Sequence, residues 1–256
     1  SIVGELLTID SEKSFFSLLK REYKELFPRL GDRTRFNRTK RNLHLVISKI
    51  RGYISEFMQL YSNNVRVIDS MPIPVCEFGR ARFSKCFKGE ASYWICASKK
   101  ETYFGFKFHA LTTVDGFLTD YVITPANIDD RNAVWDLCDK YRSISIIGDK
   151  GYINKRLTPE LKSERDIDLL FLKRANSRDN YPKEVRQLLF KVRRRIETSF
   201  SQLTEQLNLN KVKSKSMLGF ITRTSIKVLA HNISFLINKL IRNDDSMAKI
   251  KRLVFG

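Results

Sequence analysis

The sequence predicts an α/β fold built on a mixed sheet, with a helical segment ahead of it. Three observations carry this expectation. From residue 64 onward, short β-branched and aromatic runs alternate with helical periodicities. One pair of runs reads as a tight antiparallel hairpin, and the runs after it are separated by helix-length stretches, as parallel crossovers require. Of the 256 residues 42% are hydrophobic, enough for one sizeable core and a smaller helical appendage.

Residues 11–27 place Phe15, Leu18, Leu19, Tyr23 and Leu26 at helical spacing and stop before Pro28 and Gly31. A second helix is expected over 37–61, with Asn37 as its cap and a stripe of Leu43, Val46, Ile50, Tyr53, Phe57 and Tyr61. Joined by an Arg-rich turn, the two read equally as a DNA-binding helix pair or a packing appendage. Val65 to Ile68 is a β-branched run that delivers Asp69 and Ser70 at its end. Pro72 and Pro74 follow, forbidding a helix and discouraging a central strand, so Asp69 is expected at or beside a strand terminus.

Residues 75–101 form a polar, basic insertion without clear periodicity. In the hairpin, Phe104, Phe106 and Phe108 alternate with Gly105, Lys107 and His109. Asp115-Gly116 makes the turn and Phe117 to Thr124 returns. That alternation puts His109 on a polar face, as a satisfied surface histidine. A helix over 129–141 is expected, capped by Asp129, with Val134, Leu137 and Tyr141 inward and Trp135 in the core. Ser143 to Ile147 is the next strand, ending in Gly148-Asp149. A short helix near 158–165, a strand at 168–173, a polar loop, a long helix from 183 to about 207 and an apolar helix over 217–240 complete the chain. The domain expectation is a helical segment over 1–62, a catalytic-type α/β domain over 63–242 and a basic tail over 243–256.

Lys and Arg number 47 against 28 Asp and Glu, a net charge of +19, concentrated in 29–41, 80–100 and 183–215. Such clusters are footprints for a phosphate backbone. No apolar run approaches the roughly 20 residues of a membrane span, so a soluble cytoplasmic protein with no membrane partner is expected. Cys76, Cys86, Cys96 and Cys138 show no CxxC pairing and are expected to be reduced thiols. The start at Ser1 rather than Met suggests a preceding segment.

Within this basic chain Asp69, Asp149 and Glu197 stand out. Two follow strands, where functional groups collect in open α/β sheets. Glu197 lies on the long helix, bordering a stripe of Val185, Leu189, Val192, Ile196, Phe200, Leu203 and Leu207, and shares a face with Phe190, Arg193, Ser201 and Thr204. Carboxylates gain nothing beside a polyanion unless cations stand between them. Phosphodiester chemistry needs one oxygen activated as nucleophile and another stabilised as it leaves, and two Mg²⁺ ions held by hard oxygen ligands supply both. Taken singly, Asp69 and Asp149 also read as turn residues and Glu197 as a partner of Arg193.

The order of elements resembles the RNase H-like fold. Val67-Ile-Asp-Ser70, Gly105-Phe-Lys-Phe-His109, Asn127-Ile-Asp-Asp-Arg131, Gly148-Asp-Lys-Gly-Tyr152 and Arg193-Arg-Arg-Ile-Glu-Thr-Ser-Phe-Ser-Gln-Leu203 resemble the motifs of DDE transposases of bacterial insertion sequences. The likeness runs from about residue 60 to 240, with separations of 80 and 48 residues between the acids, as in members lacking a large insertion before the catalytic helix. It implies an RNase H-like mixed five-stranded sheet flanked by helices, with Asp69, Asp149 and Glu197 as catalytic Mg²⁺ ligands, Mn²⁺ substituting.

The implied activity is cutting at terminal inverted repeats and joining of the 3′ hydroxyl ends to target DNA, by a homodimer on double-stranded DNA in the bacterial cytoplasm, associated with the nucleoid. DNA contacts are expected from Lys150, Phe190, Arg193 and Arg194 near the acids, from Arg80, Arg82, Lys85, Lys88 and Trp94 in the insertion, and from Arg35 and Arg38 in the helical segment. The family's tyrosine and lysine are replaced by Phe190 and Thr204, which shifts contact with the terminal phosphate to another basic group such as Arg194 or Lys150, or reduces activity. The alternatives are an RNase H-like nuclease without strand transfer and a catalytically silent DNA-binding descendant of a transposase.

Overall fold

The computed structural model describes residues 1–96, 100–152, 154, 156–172, 181–242 and 250. The polar loop expected after residue 173 lies outside them apart from Tyr181 and Pro182, as does the basic tail apart from Ile250. The helices are α1 (Ile2–Leu6), α2 (Glu12–Glu22), α3 (Arg33–Asn42), α4 (His44–Phe57), α5 (Phe78–Ala81), α6 (Asn132–Leu137), α7 (Leu157–Arg165), α8 (Lys183–Ser201) and α9 (Met217–Arg242). The strands are β1 (Val65–Pro74), β2 (Ser92–Cys96), β3 (Glu101–Thr112), β4 (Leu118–Pro125), β5 (Ile144–Gly148) and β6 (Ile167–Phe171). The chain divides into two compact units, 59–201 and 1–58 with 202–256. The sequence drew these boundaries at 62 and 242; by contacts, 202–242 groups with the N-terminal helices because α9 packs on α1, α3 and α4.

Unit 59–201 is a mixed sheet of order β2-β3-β1-β5-β6, with β4 also paired to β3. β1 is antiparallel to β3 and parallel to β5, and β5 is parallel to β6, the arrangement of an RNase H-like fold. The sixth strand, beyond the five expected, is β2 from the basic insertion. It pairs with residues 101–105 of β3, while β4 takes 106–112 of the same strand.

β1 does not stop at Asp69 but continues through both prolines to Pro74, in the centre of the sheet. The prolines are tolerated because the parallel pairing with β5 covers only Val65 to Val67; beyond it, among the described residues, β3 alone pairs with β1, so one side of β1 needs no ladder donors.

Alternation along the strands separates two cores. Ile68, Leu111, Ile146 and Leu169 pack with Val134 and Leu137 of α6 and Leu157 and Leu161 of α7. One residue out of step, Val65, Ile147 and Leu170 pack with Leu189 and Val192 of α8. Successive side chains of a strand point to opposite faces, so α6 and α7 cover one face and α8 the other. Both faces of β3 are therefore buried. His109 has no solvent exposure, against the surface position expected, because the face read as polar lies under α6. The helix expected over 129–141 is limited to α6; Asp129 does not cap it but accepts from the Arg131 backbone N–H at 2.9 Å. Val134, Leu137 and Tyr141 are buried as expected, and Trp135 packs against that core half-buried.

In the other unit, the helix expected over 37–61 is two helices broken at Leu43. Asp32, not Asn37, is the cap: its carboxylate accepts from Arg35 N at 2.8 Å, while Asn37 donates to Glu12 Oε2 at 2.5 Å. The Arg-rich stretch is thus helical, without any buried residue of its own. α4 buries Ile47 and Ile54, and the stripe read as its packing face is exposed from Leu43 to Phe57. α9 is buried almost all round and carries Lys227 inside, where its ammonium donates to Glu5 Oε2 at 2.6 Å and the Leu207 carbonyl at 2.5 Å. No described helix is long and apolar enough to cross a membrane. None of the four cysteines forms a disulfide.

Candidate active site

Strand parity decides where the acids go. Asp69 is in step with Val65 and Val67, and Asp149 with Ile147, so both belong to the face covered by α8. Asp69 sits just past the last β1–β5 pair, and Asp149 is the first residue beyond β5, so both stand where the two parallel strands part. Gly148 permits this closeness: a Cβ there would lie 3.0 Å from Ile68 Cγ2.

α8 is held over this point by Leu189, Ile196 and Phe200, all buried. The Phe200 ring lies 6.2 Å from that of Phe108, and Ser199 Oγ donates to the Gly116 carbonyl at 2.7 Å, pinning the helix to the β3–β4 turn. Arg193 and Glu197, one turn apart, are thereby presented to the point where β1 and β5 part.

The three acids meet on one cation. The Arg193 guanidinium lies 3.5 Å from Asp69 Oδ2, 3.8 Å from Asp149 Oδ2 and 3.5 Å from Glu197 Oε1. Asp69 Oδ1 also accepts from Ser70 N at 2.9 Å. Burial pushes the Asp69 carboxyl up to about 6, with the neighbouring Asp149 and Glu197 adding to the rise; the Ser70 N–H and Arg193 oppose it. Among the described residues no group of three or more His, Cys, Asp or Glu is placed to hold a metal ion as it stands. The physical reason is visible: a guanidinium among the acids spaces them at ion-pair separation, not at the Mg²⁺–oxygen distance of about 2.0–2.1 Å. The donor set itself, three hard carboxylates sharing one positive charge, suits Mg²⁺ or Mn²⁺.

Around the triad, Lys150, Phe190 and Arg194 are exposed, whereas Arg193 is half-buried and committed to the acids. Arg80, Arg82, Lys85 and Lys88 are exposed on and after α5. Trp94 on β2 is half-exposed, with Lys107 Nζ 5.0 Å from its ring centre. Arg35 and Arg38 are exposed on α3, in the other unit, where Arg38 lines a cavity of about 350 Å³ with Arg33 and Arg41. Thr204 falls in the stretch Gln202–Gln206, also of the other unit.

Sequence reasoning missed a polar network on the opposite face. Lys107, nearly buried, donates to Asp130 Oδ1 at 2.9 Å and to the Ile128 carbonyl at 2.8 Å; Ser70 Oγ donates to Asp130 Oδ2 at 2.9 Å. His109 Nε2 lies 2.8 Å from Thr124 Oγ1, and burial lowers its pKa to about 4, so the ring is neutral at physiological pH. Asp130 thus steadies Ser70, the residue whose backbone holds Asp69. The only signal was that Lys107, His109 and Asp130 all fall in the quoted motifs.

A mixed sheet that brings one carboxylate from within β1 and one from the end of β5 under a third on a covering helix has the layout of an RNase H-like domain. The match to known families agrees. The family model described as the transposase DDE domain fits residues 59–217, and the chain belongs to that family. It is accordingly a DNA-binding enzyme of the nuclease and transposition kind, from a family that generally uses divalent metal ions. No curated protein and no solved structure matches the chain.

Proposed function

We propose that the chain is a DNA transposase that cuts at the terminal inverted repeats of its element and joins the freed 3′ hydroxyl ends to target DNA. The observation that carries this is the convergence of Asp69, Asp149 and Glu197 on the single guanidinium of Arg193. Three acids from β1, the end of β5 and α8 share one counter-charge, as a cation site built across a fold requires.

Asp69, Asp149 and Glu197 would hold the Mg²⁺, with Mn²⁺ as substitute. When bound, the metal activates the attacking oxygen, water or 3′ hydroxyl, and neutralises the leaving one. The remaining roles belong to the chain. Arg193 must give up its place among the acids, and the nearest demand for its charge is then the scissile phosphate, which its planar fork suits. The Ser70 N–H and the Asp130 network keep Asp69 oriented on a strand fixed by β3. Lys150 and Arg194 supply the exposed charge for the terminal phosphate in place of the missing lysine. Phe190 and Trp94 offer ring faces for a base at a frayed end. Arg80, Arg82, Lys85 and Lys88 track the flanking duplex, and Arg35 and Arg38 support a second duplex contact from the helical unit.

The test incubates the protein with Mg²⁺ or Mn²⁺ and duplexes bearing the element's flanking inverted repeats, beside a second reaction offering a pre-cut 3′ hydroxyl end and a plasmid target. Cleavage at the repeats, joining of the pre-cut end and loss of both in Asp149→Ala are expected. Cleavage without joining would favour a nuclease. Binding without either reaction, equal in wild type and variant, would indicate a silent descendant.

A further inference from the structure

α4 carries an apolar seam that the described residues of its unit leave exposed. Leu43, Val46, Ile50, Tyr53 and Phe57 are spaced three and four residues apart in alternation and are 37% to 68% exposed, while Ile47 and Ile54, on the adjoining flank of the helix, are buried. Alternating three- and four-residue spacing marks an apolar stripe along a helix, and its exposed part here is open to another helix of matching repeat. An exposed run of this kind on a chain with a net charge of +19 is not a phosphate-binding face.

We infer that α4 docks on α4 of a second copy of this chain, antiparallel about a two-fold axis. The seam is its own complement when reversed: with the axis between residues 51 and 52, Val46 meets the partner's Phe57 and Ile50 meets the partner's Tyr53, a large residue against a smaller one at every level. The charges flanking the seam agree. Lys49 and Glu56 are exposed, lie seven residues apart and so share one flank of the helix. Reversal places Lys49 alongside the partner's Glu56, and the two-fold repeats the pair. A parallel pairing would instead oppose Val46 to Val46 and Phe57 to Phe57 and set like charges level with each other. The dimer needs neither DNA nor metal and does not rest on the active-site proposal.

Sedimentation of the metal-free, DNA-free chain at about 50 μM, where a micromolar pairing is close to saturation, tests this. A dimer is expected. Tyr53→Asp, at a position 68% exposed, should give a monomer with an unchanged circular dichroism spectrum and a melting temperature that no longer depends on concentration. Lys49→Glu alone and Glu56→Lys alone should each raise the dimer dissociation constant about tenfold, and the double swap should restore it. Because all three charge variants alter exposed side chains, they keep the test intact should Tyr53→Asp fold poorly. Val46→Cys with Phe57→Cys should cross-link between chains under mild oxidation, and Val46→Cys alone should not. A monomeric wild type, a dimer that survives Tyr53→Asp, no rescue by the double swap, or cross-linking by Val46→Cys alone would each overturn the inference. So would a monomer in which Tyr53→Asp abolishes DNA binding, which would assign the face to DNA.

Discussion

Asp69 is the residue at which the fold and the chemistry pull in opposite directions. Its carboxyl is raised to about 6 from 3.8, so the folded state holds a proton that the unfolded chain has already released. The cost is absent below about pH 4, grows as pH rises through about 6 and is fully present above it. Asp69→Asn removes it while keeping an acceptor for the Ser70 N–H. Near pH 7.5 the metal-free variant should be about 2 kcal/mol more stable than wild type in urea unfolding, the difference vanishing toward pH 4, and should have no cleavage activity. The same titration predicts that Mn²⁺ affinity, measured by calorimetry, falls as pH drops below about 6. Arg193 is the counterpart. Arg193→Gln leaves three carboxylates facing one another, so the metal-free protein should lose about 1–3 kcal/mol, and the stabilisation produced by saturating Mn²⁺ should exceed that of wild type. Asp149→Ala should lower cleavage at least about 100-fold, beyond what the loss of an outer-shell partner does.

At the scale of elements, the strand-and-helix order was legible because hydrophobic period separates strands from helices: β3, β4, β5, α7 and α9 fall close to the runs at 104–109, 117–124, 143–147, 158–165 and 217–240. What period does not reveal is which face meets the core. Val46, Ile50 and Tyr53 and the neighbouring Ile47 and Ile54 form one broad apolar face of the helix, and the packing of α9 decides which edge of it is buried. α3 was invisible for a related reason, since a helix of Arg, Asn and Thr with no buried residue has no stripe to read. His109 was misplaced because β3 has no solvent face, a fact fixed by α6 and α8 and not by the strand itself. The acids were legible as candidates from charge logic, and the Arg193 bridge was not, because it depends on α8 crossing the point where β1 and β5 part. Gly105 offers a test of that geometry: a Cβ there would lie 2.2 Å from the Ile73 carbonyl oxygen of β1. Gly105→Ala should therefore cost at least about 3 kcal/mol by denaturant unfolding, well above the loss at an exposed strand glycine.

For the whole molecule, the charge of +19 outweighs any single contact in setting how DNA is held. With on the order of 6–10 phosphates engaged, affinity for a nonspecific duplex should fall by about 10³–10⁵ between about 50 and 200 mM salt, and filter binding across that range measures it. The layout of the sheet adds a different consequence. One edge of β3 is shared end to end, β2 on its first residues and β4 on the rest. None of the strands bearing an acid depends on β2 for its place. With Arg80, Arg82, Lys85 and Lys88 proposed to contact DNA, exchanging the exposed part of the stretch that joins β1 to β3 would change how a duplex is engaged while β1 and β5, which deliver two of the acids, keep their sheet partners.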